Sequence, residues 1–367
     1  MRCRVVVEIL SGLSLFALLC AAQNTKTSEA LAAFQHGNLP AAEQLLRTEL
    51  HANPNDTPAL EILAIVLDQQ KKYSEADALY RRALKLDPQS PALLNNFGNH
   101  LIASGHAQEA RATFLRVLSI NPDHTNACMQ LAQLDLNRHS PAEAIGFLDR
   151  LSSSHGDSPS ALALRGQAEM KLEQFAKAVQ TWKHYLQLVP GDDAARRECA
   201  FAETALGSDT NSALQTLQSF VRNHPGDATG FYELGAAESS GSPRQAIEHL
   251  NRALALDPDL SAARLARGLL LYRQSKTVEA LADFEMAAKR QPNDARVLDR
   301  LGQTYTALNR FNDAVPVLRK AAVITPNDPS ILLHLGLALS KSGNPDESKA
   351  VFARMRKLET TSVSLRN

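Results

Sequence analysis

The side chains that most often do chemistry in proteins are present in this chain, but they are not spaced for catalysis or for metal binding. The eleven histidines are scattered, and the sequence has no His-Glu-x-x-His, no Cys-x-x-Cys and no phosphate-binding glycine loop. Acidic residues come together at Asp192-Asp193 and at Asp257-Pro258-Asp259, and a short acidic pair lacks the number of oxygen ligands that calcium requires. The sequence therefore predicts no catalytic residue, no metal and no cofactor.

Residues that could instead bind a partner must be positioned by the elements of the fold. Prolines at regular intervals indicate that one element is repeated along the chain. Successive gaps between these prolines are 33 to 35 residues, apart from one gap of 68, which is twice 34. A fixed period of this length is typical of a chain that stacks one supersecondary unit many times. The prolines concerned are Pro54, Pro88, Pro122, Pro190, Pro225, Pro258, Pro292 and Pro326.

Each interval carries the pattern of two amphipathic helices. An alanine lies 12 residues before each proline, and a large apolar residue follows four positions later, as in Ala110 and Phe114. This spacing places both residues on one helix face, where the small side chain allows a neighbouring helix to approach. A second apolar set at helical spacing lies upstream, as in Leu298 and Leu301. Glycines between the two sets, such as Gly105, predict a left-handed residue at the end of the first helix.

These residues resemble the tetratricopeptide repeat pattern, which combines Leu-Gly-x2-Tyr with a later Ala-x3-Phe and a closing proline. Residues 295–328 match best, with Leu301, Gly302 and Tyr305 on the first helix and Ala314 on the second. Ten repeats in nearly constant register make the resemblance specific, and they cover almost the whole chain. We place them at 23–56, 57–90, 91–124, 125–158, 159–192, 193–227, 228–260, 261–294, 295–328 and 329–362.

The resemblance implies an all-α fold, a right-handed superhelical α-solenoid of antiparallel helix pairs. Three repeats depart from the pattern, and we expect them to pack less regularly. Repeat 125–158 has Asp135 where an aromatic residue is usual, repeat 193–227 is one residue longer, and repeat 228–260 is one residue shorter. A flexible tail is expected at 363–367.

In this family the first helices line the inner, concave groove, and the resemblance implies that five positions of each repeat face it. One set of these positions, the amide zone, can exchange hydrogen bonds with a peptide backbone. A second set, the apolar zone, would mark an interaction surface if it is exposed. Its tyrosines are expected to be exposed, whereas its leucines could equally belong to the core. The predicted partner-binding residues are Asn95, Asn99, Asn126, Gln133, Asn137 and Gln167 in the amide zone and Tyr232, Leu265, Leu269 and Tyr272 in the apolar zone, where Leu333 and Leu337 hold equivalent positions.

The N-terminal segment has the pattern of a targeting sequence. Two arginines precede an uncharged, mostly apolar run from Ile9 to Ala22, which is short for a membrane span and typical of a signal peptide. We therefore expect residues 1–22 to be a signal peptide and the protein to be exported, periplasmic or secreted. Two alternatives stay open, namely an uncleaved membrane anchor formed by residues 5–22 and lipidation of Cys20.

The composition argues against a nucleic-acid partner. Lys+Arg and Asp+Glu are both 39, so the formal net charge is zero, whereas nucleic-acid-binding proteins normally carry a basic stripe or a basic excess. Beyond the N-terminal segment only Cys128 and Cys199 are present. They lie two repeats apart, and we predict that both are buried free thiols that act as small apolar side chains.

Together these observations predict a non-enzymatic, exported scaffold. It would bind a protein or an extended peptide in its concave groove, in the assembly or tethering of a complex. Contact with a membrane is expected only through the N-terminal segment if that segment stays uncleaved. The alternative is an accessory subunit of an envelope-polymer or glycan-processing system, in which the amide zone would contact sugar hydroxyl groups.

Overall fold

The structure, a computed structural model, describes residues 25–155, 158–207 and 210–364. This part of the chain contains twenty α-helices and no β-strand, which confirms the predicted all-α class. The predicted signal peptide, residues 1–22, lies outside the described residues. By their internal contacts the helices form two compact units, an N-terminal unit that ends at Val189 and a C-terminal unit that begins at Pro190.

The N-terminal unit contains five helix pairs. Consecutive helices pack as antiparallel pairs, and the second helix of each pair contacts the first helix of the next pair, as expected for a stack of repeats. The helices are α1 (Thr25–Gln35), α2 (Leu39–Ala52), α3 (Thr57–Gln69), α4 (Tyr73–Leu86), α5 (Pro91–Ala103), α6 (Ala107–Ile120), α7 (Thr125–Asn137), α8 (Pro141–His155), α9 (Pro159–Lys171) and α10 (Phe175–Leu188).

The C-terminal unit repeats the same arrangement over five further pairs. In both units the odd-numbered helices are the first helices of their pairs, and the even-numbered ones are the second helices. The helices are α11 (Asp193–Leu206), α12 (Thr210–Asn223), α13 (Ala228–Glu238), α14 (Pro243–Leu256), α15 (Ser261–Arg273), α16 (Thr277–Arg290), α17 (Ala295–Ala307), α18 (Phe311–Ile324), α19 (Pro329–Lys341) and α20 (Pro345–Ser364).

A residue with left-handed backbone ends nine of the first helices, and these residues are separated by 34 or 68 positions. Glycine adopts this conformation at little cost, and the glycines were predicted. At five positions a residue with a side chain adopts it instead, because the short connection between the paired helices requires the same turn. The nine residues are Gly37, Lys71, Gly105, His139, Glu173, Gly207, Ser275, Asn309 and Gly343.

Close packing within each pair depends on a small residue that faces a bulky one. Phe114 is fully buried, and a Cβ atom added to Gly98 would lie 2.6 Å from its ring. In the same way, a Cβ atom added to Gly166 would lie 2.5 Å from the indole of Trp182. Glycine at these positions therefore allows the two helices of a pair to approach closely.

The buried residues are organised differently in the two units. In the N-terminal unit, buried side chains from Ala30 to Ala168 form one continuous hydrophobic cluster. In the C-terminal unit, the described buried side chains fall into separate clusters, over Ala200–Leu234, Ala246–Leu270 and Leu271–Leu339. One break, between Leu234 and Ala246, lies within the repeat that lacks a residue, where a lost residue changes which side chains face the neighbouring helix.

The irregular positions have physical explanations. Asp135, in place of an aromatic residue, is fully buried, and Arg111 donates to both of its carboxylate oxygens at 2.8 and 3.2 Å. In the repeat that lacks one residue, α13 ends at Glu238 and is followed by a right-handed residue, Ser239. The tail expected at 363–367 begins within α20, which continues to Ser364 because no proline or glycine stops it.

Candidate functional site

The first helices of the N-terminal unit bring three of the predicted amide residues together. The Nδ2 atom of Asn126 on α7 donates to Oδ1 of Asn95 on α5 at 2.8 Å and lies 3.4 Å from Oδ1 of Asn99. Asn99 and Asn126 are half-buried, whereas Asn95 is only 3% exposed. Asn95 therefore links α5 to α7, and the accessible amides of this group are those of Asn99 and Asn126.

The other three amide residues lie further along the same face. Gln133 and Asn137 are exposed on α7, and Gln133 Nε2 donates to Asn137 Oδ1 at 3.2 Å. Gln167 is exposed on α9. An amide has two N–H donors and a carbonyl acceptor, so a single internal bond leaves most of this hydrogen-bonding capacity available. We call the accessible members, Asn99, Asn126, Gln133, Asn137 and Gln167, the amide face.

The two tyrosines of the apolar zone are less exposed than the sequence suggested. Tyr232 and Tyr272 are both half-buried, and the Tyr232 ring lies 6.0 Å from that of Phe201. Burial, and then the negative charge of Glu233, raises the pKa of Tyr232 to about 12, while nearby Arg296 acts in the opposite direction. The phenol rings pack against the protein because aromatic side chains gain most of their stabilisation from buried area.

The leucines of the apolar zone divide into two groups. Leu265 and Leu269 on α15 are half-buried against the core cluster that contains Leu301. Leu333 and Leu337 on α19 are 40% and 45% exposed. Because they are four residues apart, their side chains share one face of α19. These two leucines are the predicted apolar residues most accessible to a partner.

Two arginines on the intervening first helix were not selected from the sequence. Arg296 and Arg300 are exposed on α17 and, at a spacing of four residues, share one helix face. The signal that could have identified them is the combination of this spacing with the scarcity of acidic residues on α15 and α19.

The same helix carries a buried polar network that connects it to α19. Asp299 is 6% exposed, and its Oδ2 atom accepts from Gln303 at 2.8 Å. Its Oδ1 atom lies 2.7 Å from Nδ1 of His334, which donates because an ionised carboxylate can only accept. Both oxygens of Asp299 are therefore used within the protein.

The remaining candidates for chemistry are buried or isolated. Cys128 and Cys199 are buried free thiols, as predicted, and burial raises the pKa of Cys128 to about 11, so its thiol is protonated and unreactive at neutral pH. Across the described ranges, no three His, Cys, Asp or Glu side chains converge to hold a metal ion. None of the described helices is both long and apolar enough to cross a membrane.

Comparison with protein families finds two profiles described as tetratricopeptide repeat. One matches residues 27–91, and the other matches residues 67–121 and again 101–168. A third profile, described as the N-terminal tetratricopeptide repeat region of Psidin, matches residues 237–363. The matches lie in both compact units.

Several curated proteins are similar over long stretches. The protein CTR9 homolog of Arabidopsis thaliana is 25% identical over 312 residues, which are 83% of this chain and 26% of that protein. Cellulose synthase operon protein C of Xanthomonas axonopodis is 26% identical over 242 residues, 65% of this chain and 15% of that protein. Type IV pilus assembly protein PilF of Pseudomonas aeruginosa is 25% identical over 155 residues, 42% of this chain and 62% of that protein. The chain thus spans less than two thirds of each relative.

Solved structures show the same fold. The Cut9–Hcn1 hetero-tetramer of the APC/C gives a TM-score of 0.53 at 13% identity, over 91% of this chain and 80% of that one. Pseudomonas aeruginosa PilF gives a TM-score of 0.50 at 22% identity, over 58% of this chain and 95% of that one. At these identities the likeness concerns the fold alone.

Proposed function

This chain belongs to the tetratricopeptide repeat family, and we propose that it is a non-enzymatic scaffold whose first-helix faces bind a protein or an extended peptide. In this proposal the bound partner is held for the assembly or tethering of a complex. A rigid, preformed surface suits that role because it orders a flexible partner at little conformational cost to itself. The matched relative PilF, whose name describes it as a pilus assembly protein, is consistent with such a role.

The observation that carries the proposal is the exposure of Leu333 and Leu337 on a first helix. Both are large apolar side chains, 40% and 45% exposed, while the residues between and beside them, such as Leu332 and Leu335, are buried in the core. Paired apolar side chains on one exposed helix face are a common feature of sites where another protein binds. The amide face of the N-terminal unit adds donors and acceptors that suit a peptide backbone.

We also propose that the protein is exported, because the run from Ile9 to Ala22 follows two arginines in the manner of a signal peptide. The mass of the protein isolated from its own cells tests this. A chain that begins at Gln23 supports export with cleavage, whereas a chain that retains residues 5–22 supports a membrane anchor.

The scaffold proposal is tested by affinity capture from native envelope or secreted fractions with the tagged full chain. The test variant is L333S/L337S. The matched control is V278S/V323S, which changes two apolar residues on second helices that are 72% and 78% exposed. A partner retained by the control and lost by the test variant supports the proposal. A partner lost only by the control would place binding on the second helices and contradict it.

The second candidate is an accessory role in a glycan-processing system. It is favoured by the amide face, whose side chains can donate to and accept from sugar hydroxyl groups, and by the similarity to cellulose synthase operon protein C. Calorimetric titration with a cellulose-derived oligosaccharide tests it. Saturable binding that Q133A/Q167A abolishes would favour the glycan role, and absence of heat in the millimolar range would remove it.

A further inference from the structure

Three polar contacts between successive first helices lie at equivalent positions of their repeats. Each contact joins the fifth residue of one repeat to the sixth residue of the next, and a buried carboxylate takes part in each. Stacked repeats place equivalent residues in similar surroundings, so the three contacts can be compared directly. They are Glu61 with Asn96, Arg197 with Glu233, and Asp299 with His334.

The contact between Arg197 on α11 and Glu233 on α13 differs from the other two in its hydrogen bonding. Asn96 donates to Glu61 at 2.7 Å, and both oxygens of Asp299 have donors. Nε of Arg197 and Oε2 of Glu233 lie 3.1 Å apart and are buried, yet neither atom has a hydrogen-bond partner within the described chain. A buried polar atom without a partner is costly, so this contact is less favourable than the two equivalent ones.

Negative charge exceeds positive charge around Glu233. Arg197 also lies 2.6 Å from Glu198 and 3.5 Å from Asp227, so three carboxylates share one guanidinium group. The side chains of Glu198 and Asp227 are 24% and 37% exposed, whereas that of Glu233 is 5% exposed. Water therefore stabilises the first two charges, and the carboxyl group that gains most from a proton is that of Glu233.

The helices α12 and α15, which also pack against α13, direct their charged groups elsewhere. On α12 the ring of Phe220 lies under the Arg197 guanidinium, 5.2 Å from it, and this ring stacks with His224 at 4.3 Å. The arginines Arg264 and Arg267 of α15 pair with a carboxylate of α16. The described charges that act on Glu233 are therefore those of the group around Arg197.

The contact between α13 and α14 has a different chemistry. Nδ1 of His249 on α14 lies 2.7 Å from Oε2 of Glu238, the last residue of α13. A protonated Nδ1 donates to an ionised carboxylate whether the imidazole is neutral or charged. This bond at the end of α13 therefore persists on both sides of the imidazole titration, whereas the contact in the middle of the helix depends on the proton of Glu233.

We propose that the contact between α11 and α13 is a pH-sensitive switch, which holds the two helices together while Glu233 is protonated and loosens when Glu233 ionises. Protonation removes one of three negative charges and leaves a carbonyl oxygen that can accept from Nε of Arg197. Ionisation creates a buried charge that the single guanidinium group cannot compensate. Separation of the helices admits water to that charge and lowers its cost.

The shift in the pKa of Glu233 has the direction that this switch requires. Burial, and then the charge of Glu198, raises the pKa well above its usual range, although Arg197 acts in the opposite direction. The protonated, closed form therefore persists to a higher pH than an ordinary glutamate would allow. The contact loosens as pH rises through the raised pKa.

The switch alters the first-helix surface beside it. The rings of Phe201 on α11 and Tyr232 on α13 lie 6.0 Å apart across the same contact. Because Tyr232 directly precedes Glu233, movement of α13 away from α11 separates the two rings and exposes the phenol. This consequence does not depend on which molecule the first helices bind.

Infrared spectroscopy of the full chain tests the proton itself, because a protonated carboxyl group and a carboxylate absorb at different frequencies. Spectra are recorded from about pH 5 to about pH 9, above the ordinary glutamate range. We expect Glu233→Gln to lose part of the carboxylic-acid band of the parent chain. Glu248→Gln is the matched control on neighbouring α14, since that side chain is 66% exposed, and it should keep the whole band.

Hydrogen exchange measured by mass spectrometry over the same pH range tests the movement. After correction for the chemical exchange rate, amides of α11 and α13 should exchange at least about tenfold faster at the high end of the range in the parent chain and in Glu248→Gln. Glu233→Gln should lack this increase. Helices α3 and α5, whose contact is hydrogen-bonded, should show no increase in any of the three chains.

Glu198→Gln provides a second variant that retains Glu233, and it decides the test if Glu233→Gln does not fold. It removes a neighbouring negative charge and frees Arg197 to pair with Glu233, so the pH at which exchange rises should move downward.

Three outcomes would overturn the inference. One is a carboxylic-acid band of equal size in Glu233→Gln and Glu248→Gln, and another is the same pH dependence of exchange in those two variants. The third is a rise in exchange that Glu198→Gln leaves in place or moves to higher pH, because the charge around Arg197 would then not control the contact.

Discussion

The two compact units present different first-helix faces on the same framework. The amide face of the N-terminal unit consists of neutral side chains that bond partly to one another, as Gln133 does with Asn137. The first helices of the C-terminal unit instead carry apolar side chains, of which Leu333 and Leu337 are exposed. The helix pairs fix where a first-helix side chain lies, and the residue types at those positions then decide what kind of molecule can bind there.

The units also differ below these faces. One continuous hydrophobic cluster runs through the N-terminal unit, whereas the described buried side chains of the C-terminal unit form separate clusters. A buried arginine in the irregular region has three carboxylates around it, since Arg197 lies 2.6 Å from Glu198, 3.5 Å from Asp227 and 3.1 Å from Glu233. The two repeats of irregular length thus share a group of charged side chains around a buried arginine.

The largest expected effect is on the two cores. Phe114→Ala in the N-terminal unit should lower the free energy of unfolding by about 3–5 kcal/mol, and Leu301→Ala in the C-terminal unit by about 2–5 kcal/mol, because both side chains are buried and would leave cavities. Urea denaturation measures both. Leu115→Ala is the control, since Leu115 is 39% exposed beside Phe114, and it should cost far less. Equal losses for Phe114 and Leu115 would contradict the assigned helix faces.

The next effect concerns the close approach of paired helices. Gly166→Ala should destabilise the protein by about 1–3 kcal/mol, because the new methyl group overlaps the Trp182 indole. Gly235→Ala should do the same in the C-terminal unit, where the backbone oxygen of Ala246 would be 2.9 Å away.

The control for both substitutions is Gly146→Ala within α8. A Cβ atom added there meets no atom within 4 Å, so the helix preference of alanine over glycine should stabilise the protein by up to about 1 kcal/mol. Thermal unfolding of the three variants should give shifts of opposite sign. A stabilising Gly166→Ala would show that the helices of that pair are not in close contact.

Replacing one glutamate in each unit should change stability with an opposite dependence on pH. Burial, and then the charge of Glu198, raises the pKa of Glu233 well above its usual range, although Arg197 opposes this. The shift is upward because one arginine cannot neutralise three carboxylates and Glu233 is the most buried of them. The folded state therefore favours the protonated form. The stability that the Glu233 carboxyl group contributes is complete below the unfolded pKa of about 4.3, and it is lost as pH rises through the folded pKa.

Glu233→Gln should thus leave stability unchanged near pH 4 and increase it near pH 8. Glu43 in the N-terminal unit should behave in the opposite way. Burial acts to raise its pKa, but hydrogen bonds from Arg47, Lys72 and Gln70 outweigh burial and lower the pKa to about 2. Its contribution is present above the unfolded pKa and is lost as pH falls toward 2, so Glu43→Gln should destabilise slightly at neutral pH. Unfolding curves at several pH values measure both variants, and effects of equal sign would contradict these assignments.

The smallest effect concerns the left-handed residues between paired helices. Lys71→Gly should stabilise the protein by about 0.5–1 kcal/mol, because a side chain at positive φ is strained and glycine is not. Gly105→Ala should destabilise it by a similar amount. Differential scanning calorimetry resolves these changes, and a destabilising Lys71→Gly would show that the Lys71 side chain makes compensating contacts.

Much of the fold could be predicted from the sequence because one pattern recurs ten times. Each repeat has an alanine, a bulky residue four positions later and a glycine on the paired helix that faces the bulky residue. All three follow from helix geometry and close packing. The left-handed conformation of Lys71 and Glu173 was not predicted, since their residue types give no local signal for it. Only the constant 34-residue spacing relates them to the glycines.

The candidate site was less predictable than the fold. Positions along a helix identify which residues face a groove, but burial also depends on the neighbouring helix. Asn95 is therefore covered by its bond with Asn126, and Tyr232 by packing beside Phe201. The exposure of Leu333 and Leu337 likewise depends on packing, because the neighbouring Leu332 and Leu335 on the same helix are buried.

Site-specific photo-crosslinking in native fractions tests the central claim most directly, which is that partners contact the first-helix faces. A photoreactive residue would replace Gln167 or Leu337 on first helices, and Leu115 or Val278 on second helices, all of which are exposed. We predict cross-links from Leu337, with or without Gln167, and none from Leu115 or Val278. Cross-links from Leu115 and Val278 without any from Leu337 or Gln167 would contradict the account.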